Sequence, residues 1–178
     1  MNKVFEIKCD WLIDEETNKK GSWQGRIILN ENGWFEGIVN DIESKYTDDR
    51  FIFGVFIQDK IIELHLLTRK EISEPFVYYG IKNDNSYSGN FESGGLFGPY
   101  PTGISNINTY ETDLSYSSYV ETKINNFKDS IMDTEGKNYY SKILNNKDEL
   151  FQKVLNKYEG KELNKRSFKN LVKTIRKK

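Results

Sequence analysis

Gly21-Ser22-Trp23-Gln24-Gly25-Arg26-Ile27-Ile28-Leu29-Asn30-Glu31-Asn32-Gly33-Trp34-Phe35-Glu36-Gly37-Ile38-Val39 reads as two antiparallel strands and the turn that joins them. Trp23, Gly25, Ile27 and Leu29 fall at every second position, the spacing that lines one face of a strand. Asn30-Glu31-Asn32-Gly33 follows, and Asn-Gly supplies the positive φ angles that hairpin turns need. Trp34 to Val39 then returns as the partner strand. A hairpin of this kind cannot stand alone in water, so its neighbours must continue the sheet.

They do so on both sides. Upstream, Phe5, Ile7, Cys9, Trp11 and Ile13 alternate with Val4, Glu6, Lys8, Asp10 and Leu12, and the charged loop Asp14 to Gly21 separates this strand from the hairpin. Downstream, a polar loop from Asn40 to Arg50 leads into Phe51-Ile52-Phe53-Gly54-Val55-Phe56-Ile57. Gln58-Asp59-Lys60 turns this run into Ile61-Ile62-Glu63-Leu64-His65-Leu66-Leu67. Both runs are nearly continuous in apolar residues, so period two does not say which of their faces points inward. Pro75 opens Phe76 to Ile81, and Asn83-Asp84-Asn85 turns it into Tyr87, Gly89 and Phe91. Beyond the Gly- and Pro-rich stretch 94–101, Tyr110, Thr112 and Leu114 alternate as a weaker last strand. Eight strands joined mainly by short turns, with glycines recurring inside them, predict a sheet that bends and closes into an up-and-down barrel, which also removes its edges.

From Ser117 the period changes. Val120, Ile124, Phe127 and Ile131 share one helical face. Tyr140, Ile143 and Leu144, then Leu150, Phe151, Val154, Leu155 and Tyr158, continue the pattern to Gly160. Leu163, Phe168, Leu171, Val172 and Ile175 predict a last amphipathic helix with a basic opposite face. The expected organisation is a β-barrel over residues 1–116 and a region of two or three helices over 117–178.

Charge follows the same division. Residues 1–116 carry a net of −8 and residues 161–178 a net of +7, within a total of −1. An acidic body argues against nucleic acid as the partner of the whole protein. No apolar run reaches the roughly 18 residues of a membrane span, and Met1 to Glu6 does not resemble a signal peptide. With one cysteine there is no internal disulfide, so a reducing, cytoplasmic location is expected.

The strand pattern resembles the calycins, the superfamily of lipocalins and avidins, over about residues 4–115. Gly21-Ser22-Trp23 at the start of a strand resembles the Gly-x-Trp of lipocalins. Phe35-Glu36-Gly37, Phe53-Gly54, Tyr79-Gly80 and Tyr87-Ser88-Gly89 are similar to the aromatic-Gly meander of small bacterial lipocalin-like proteins. The lipocalin arginine that packs over that tryptophan has no match beyond the last strand, where the nearest basic residue is Lys123. The resemblance implies a barrel that holds a small apolar ligand.

Candidate residues follow from that expectation. Trp11, Trp23, Trp34, Phe53, Tyr78 and Tyr87 are aromatics able either to line a cavity or to fill the barrel core. Phe97 and Tyr100 belong to a loop able to cover its mouth, and Arg26 and Arg69 could anchor a negative group. His65 is the only histidine. With Glu63 it could serve acid–base chemistry, but it reads as half of a polar pair on the outer face. Cys9, on the apolar face of the first strand, reads as a buried small hydrophobe. Asp84 to Gly89 opens like a calcium loop, but Gly95 stands where the bidentate Glu is required. Neither a metal nor a cofactor is expected. The function that fits is a non-enzymatic binding protein, its barrel holding a small apolar molecule or a peptide segment. The alternative is a protein-interaction or regulatory module whose basic helical tail recognises a partner, with a homodimer through that tail as one form.

Overall fold

A computed structural model describes residues 2–13, 19–42, 49–67, 76–92 and 102–131, and seven single positions beyond them. Eight antiparallel strands form a closed barrel in chain order: β1 (Lys3–Ile13), β2 (Lys20–Leu29), β3 (Trp34–Asp41), β4 (Arg50–Ile57), β5 (Lys60–Leu67), β6 (Phe76–Asn83), β7 (Ser86–Glu92) and β8 (Thr102–Thr112). Closure comes from β1, which pairs with β2 on one side (Cys9 opposite Trp23) and with β8 on the other (Cys9 opposite Ile107). This arrangement is compatible with a calycin-like fold.

The connections fall into two classes. At one end the chain turns tightly: four residues join β2 to β3, and two each join β4 to β5 and β6 to β7. Asn30 anchors the first turn, its side-chain oxygen accepting from the backbone N–H of Asn32 and of Trp34, both at 3.0 Å. Gly33 takes φ +82° there, the conformation for which the Asn-Gly pair was read. At the other end lie all four longer links, of six to nine residues: β1–β2, β3–β4, β5–β6 and β7–β8.

Alternation decides what fills the barrel. Ile7, Cys9, Trp23, Ile27, Phe35, Val39, Ile52 and Ile61 belong to one buried cluster, completed by Tyr78, Tyr87, Phe91 and Ile107. The inward face of β1 and β2 is the one their period predicts. The last strand differs from its expectation: β8 begins at Thr102, its inward residues are Gly103, Ser105 and Ile107, and Tyr110 is exposed. Leu114 lies in a 3₁₀ turn (Leu114–Tyr116). Small residues occur on β8 because Trp11 and Phe91 stand opposite; a Cβ on Gly103 would run into the Phe91 ring and the Leu12 carbonyl.

A helix, α1 (Ser117–Ile131), follows the barrel. Val120, Ile124 and Phe127 are its buried stripe, spaced so that one face meets the barrel wall. Phe127 stacks on Phe51 at 5.5 Å, and Phe51 stacks on Phe53 at 5.8 Å, so these β4 residues face outward and are still buried. Lys128 to Glu36 (3.2 Å) and Lys123 to Asp49 (3.6 Å) fasten the helix edges. The further helices expected over 140–175, and the basic tail's packing, lie outside the described residues apart from single positions such as Asn170 and Lys173. No described helix is long and apolar enough to cross a membrane.

Candidate functional site

The barrel interior has two unlike halves. Toward the tight turns it is apolar, with Phe35 and Tyr87 each against Phe56 at 5.1 and 5.6 Å. Toward the long connections it holds a chain of rings: Trp11 meets Phe91 edge-on at 5.8 Å, and Phe91 stacks on Tyr78 at 5.4 Å. Tyr78 in turn contacts Trp23 at 5.5 Å and His65 at 4.4 Å, while Trp23 meets His65 at 4.7 Å. Strands β1, β2, β5, β6 and β7 each supply one member, so only closure of the barrel brings them together.

Polar groups sit among these rings. Glu63 and His65 share the inward face of β5, opposite Gly54 and Ile52. Both are fully buried, and His65 Nε2 lies 3.1 Å from Glu63 Oε2. The expectation of an outer-face pair is therefore corrected. The face shared by Ile62 and Leu64 is the outer one; it too is buried, and so composition could not separate the two. Gly54, inward on the neighbouring strand, lies directly under the Phe35 ring, where a Cβ would clash. Arg50, 3% exposed, enters from the first position of β4 and donates from Nη2 to Asp41 at 2.7 Å. Its guanidinium carbon lies 5.9 Å from the Trp23 ring. An arginine does accompany Trp23, but from the fourth strand instead of beyond the last; Lys123 is outside, on Asp49.

Burial sets the electrostatics. Desolvation pushes the Glu63 carboxyl up to about 8, against the opposing pull of Arg50. It pushes His65 well below its ordinary value, and Arg50 adds to that shift. The pair is thus uncharged near neutral pH, one proton bridging the carboxyl and the imidazole. The same desolvation raises Tyr78, opposed by Arg50 and by the Trp23 indole, which faces the phenol without closing a well-formed hydrogen bond. Cys9 is raised by burial and by Glu63, which leaves it an inert thiol in its expected buried place.

Four inward polar atoms have no hydrogen-bond partner among the described residues: Trp23 Nε1, Glu63 Oε1, His65 Nδ1 and Ser105 Oγ. Each such buried atom costs about 1–3 kcal/mol if left unmet. Together they offer a hydroxyl, an indole N–H, a carboxyl oxygen and an imidazole nitrogen beneath the long-connection end. No described group of three His, Cys, Asp or Glu side chains could hold a metal ion.

Of the residues singled out from sequence, Trp11, Trp23 and Tyr78 meet in this half. Tyr87 is also inside, but in the apolar half. Trp34 and Phe53 face outward, because the inward residue beside each is Phe35 or Ile52. Arg26 is outside as well, donating to Glu6 at 3.1 Å and lying over the Tyr116 ring at 4.3 Å. Phe97, Tyr100 and Arg69 lie outside the described residues. Sequence reasoning missed Arg50 and the inward aim of Glu63 and His65. The available signal was Glu63 and His65 inside one otherwise apolar run, with Arg50 at the threshold of the other.

Two grooves flank α1 on the barrel's exterior, of about 530 and 660 Å³. Trp34 and Phe53 line the larger one, beside Ile124 and Gln152. No protein-family model matches this chain, and no curated protein matches it.

Proposed function

We propose that this protein is a non-enzymatic binding protein whose barrel takes a small molecule through the long-connection end. The apolar body of the guest lies against Trp11, Trp23, Tyr78 and Phe91, and its polar head meets Glu63, His65 and Ser105. The observation that carries this reading is the set of four buried, inward polar atoms without partners among the described residues, in the long-connection half of the barrel interior. Structural packing alone would be served better by apolar side chains, since each orphaned polar atom destabilises the fold. The uncharged Glu63–His65 pair favours a neutral head that both donates and accepts hydrogen bonds.

Native mass spectrometry of freshly purified protein tests it. A non-covalent adduct is expected in the wild type and should be absent from a Glu63→Leu/His65→Leu variant that keeps its β circular-dichroism spectrum. Bare chain in both spectra, with nothing extractable into organic solvent, would overturn the proposal.

A further inference from the structure

The smaller exterior groove lies between the N-terminal half of α1 and strands β1, β2 and β3, with Tyr110 of β8 on its rim. We propose that it is a second binding site, for a short polyhydroxylated ligand: a mono- or disaccharide. A volume of about 530 Å³ is in the range of small-ligand sites.

Its lining has the chemistry that a sugar ring requires. A pyranose presents an apolar C–H face and a rim of hydroxyls, each both donor and acceptor. Tyr110 and Tyr119, 58% and 54% exposed, keep large aromatic surfaces in water beside the groove, where a C–H face can stack. Gln24, Asn40, Glu6 and Asp49 supply planar amides and carboxylates, which bridge neighbouring hydroxyls in pairs. The floor includes Ile38 and Val120, both buried, which give the groove an apolar base.

These walls are braced before any ligand arrives. Arg26 is held between Glu6 and the Tyr116 ring. Asn40 donates to Asp49, and Lys123 pairs with the other Asp49 oxygen at 3.6 Å. Lys123 Nζ is 6.0 Å from the Tyr119 ring centre, at the outer limit of a cation–π contact. Bracing of this kind reduces the ordering cost of binding. Glu6 and Asp49 offset Arg26 and Lys123, which leaves Lys8 as the one unbalanced charge of the lining. A single excess cation is a weak field for a nucleotide or another polyanion.

Saturation-transfer NMR on the full chain, with glucose, galactose, mannose, N-acetylglucosamine, maltose, cellobiose, lactose and chitobiose as probes, tests the assignment at millimolar concentration. Transfer to ring C–H protons of at least one probe is expected. A Tyr110→Ala/Tyr119→Ala variant should weaken it by about tenfold or more (roughly 1.4 kcal/mol), while Tyr119→Phe keeps it. Both tyrosines are exposed, so the variant should fold, as circular dichroism will check. Glu63→Gln, inside the barrel, should leave transfer unchanged, which separates this site from the interior one. Absence of transfer from every probe, transfer that survives the double tyrosine variant, or transfer lost with Glu63→Gln would each overturn the proposal.

Discussion

Glu63 and His65 pull stability in opposite directions with pH. The folded chain holds the Glu63 proton up to about pH 8, whereas the unfolded chain releases it near 4.5, so this residue makes stability fall as pH rises between those values. His65 is neutral when folded, and below about 6.5 the unfolded chain gains a proton that the folded one refuses; stability therefore rises toward 6.5. The two slopes oppose each other between 4.5 and 6.5, and above 6.5 only Glu63 acts. Urea unfolding should show a loss of about 2 kcal/mol between pH 6.5 and 8 in the wild type, and little loss in Glu63→Gln. An equal decline in both proteins would mean that Glu63 is ionised when folded. The sequence makes this pair visible, since one histidine two residues from a carboxylate on a strand is easily found. It does not orient the pair, because β4 and β5 are apolar on both faces. Only the register, with Glu63 opposite Gly54 and Tyr78, turns them inward.

Among the elements, α1 was legible and β8 only toward its C-terminal end. Val120, Ile124 and Phe127 have the three- and four-residue spacing of a helical stripe, and all three are buried where it predicts. Phe127 is the bulkiest attachment, stacked on Phe51 and flanked by Lys128, whose ammonium is 5.4 Å from the Phe51 ring. Phe127→Ala should cost about 3–5 kcal/mol. Thermal or urea unfolding would measure it, and the β circular-dichroism signal should persist because the barrel ladder does not involve this residue. A loss below about 1 kcal/mol would mean that α1 is not held by its apolar stripe. The first half of β8 escaped because its inward face carries Gly103, Ser105 and Ile107 where a strand reader looks for bulk. Large partners on the neighbouring strands, Trp11 and Phe91, required small residues, and smallness in sequence resembles a loop.

At the scale of the molecule, period two and the turn residues were enough to count strands and to suggest closure. Closure itself is a long-range fact: residues 3–13 must find residues 102–112. It has a measurable signature, because β1 and β8 would be the edges of an open sheet and instead have partners on both sides, β8 pairing with β7 over Thr102–Asn108. Amide hydrogen exchange followed by NMR should find the central amides of β1 and β8 as protected as those of β3 and β4. Rapid exchange at alternate positions along β1 or β8, the pattern of a free edge, would contradict the closed barrel. The candidate interior site was less legible than the fold for the same reason. Its members come from at least five strands and meet only across the barrel, so no local spacing records them.

The grouping of every long connection at one end has a consequence for how this chain tolerates change. The N-terminus, the link to α1 and all three tight hairpins leave from the opposite end, where Gln58 and Asp84 already sit at positive φ and little can be altered. Lengthening or randomising 14–19, 42–49, 68–75 or 93–101 leaves the hairpins that set strand register untouched, and lengthening a loop costs little closure entropy. The hairpins thus hold one end of the frame, and the four segments can be varied apart from them. A library diversified in those segments, with Asp49 kept for its pair with Lys123, would probe the proposed interior site without disturbing the turns that set register.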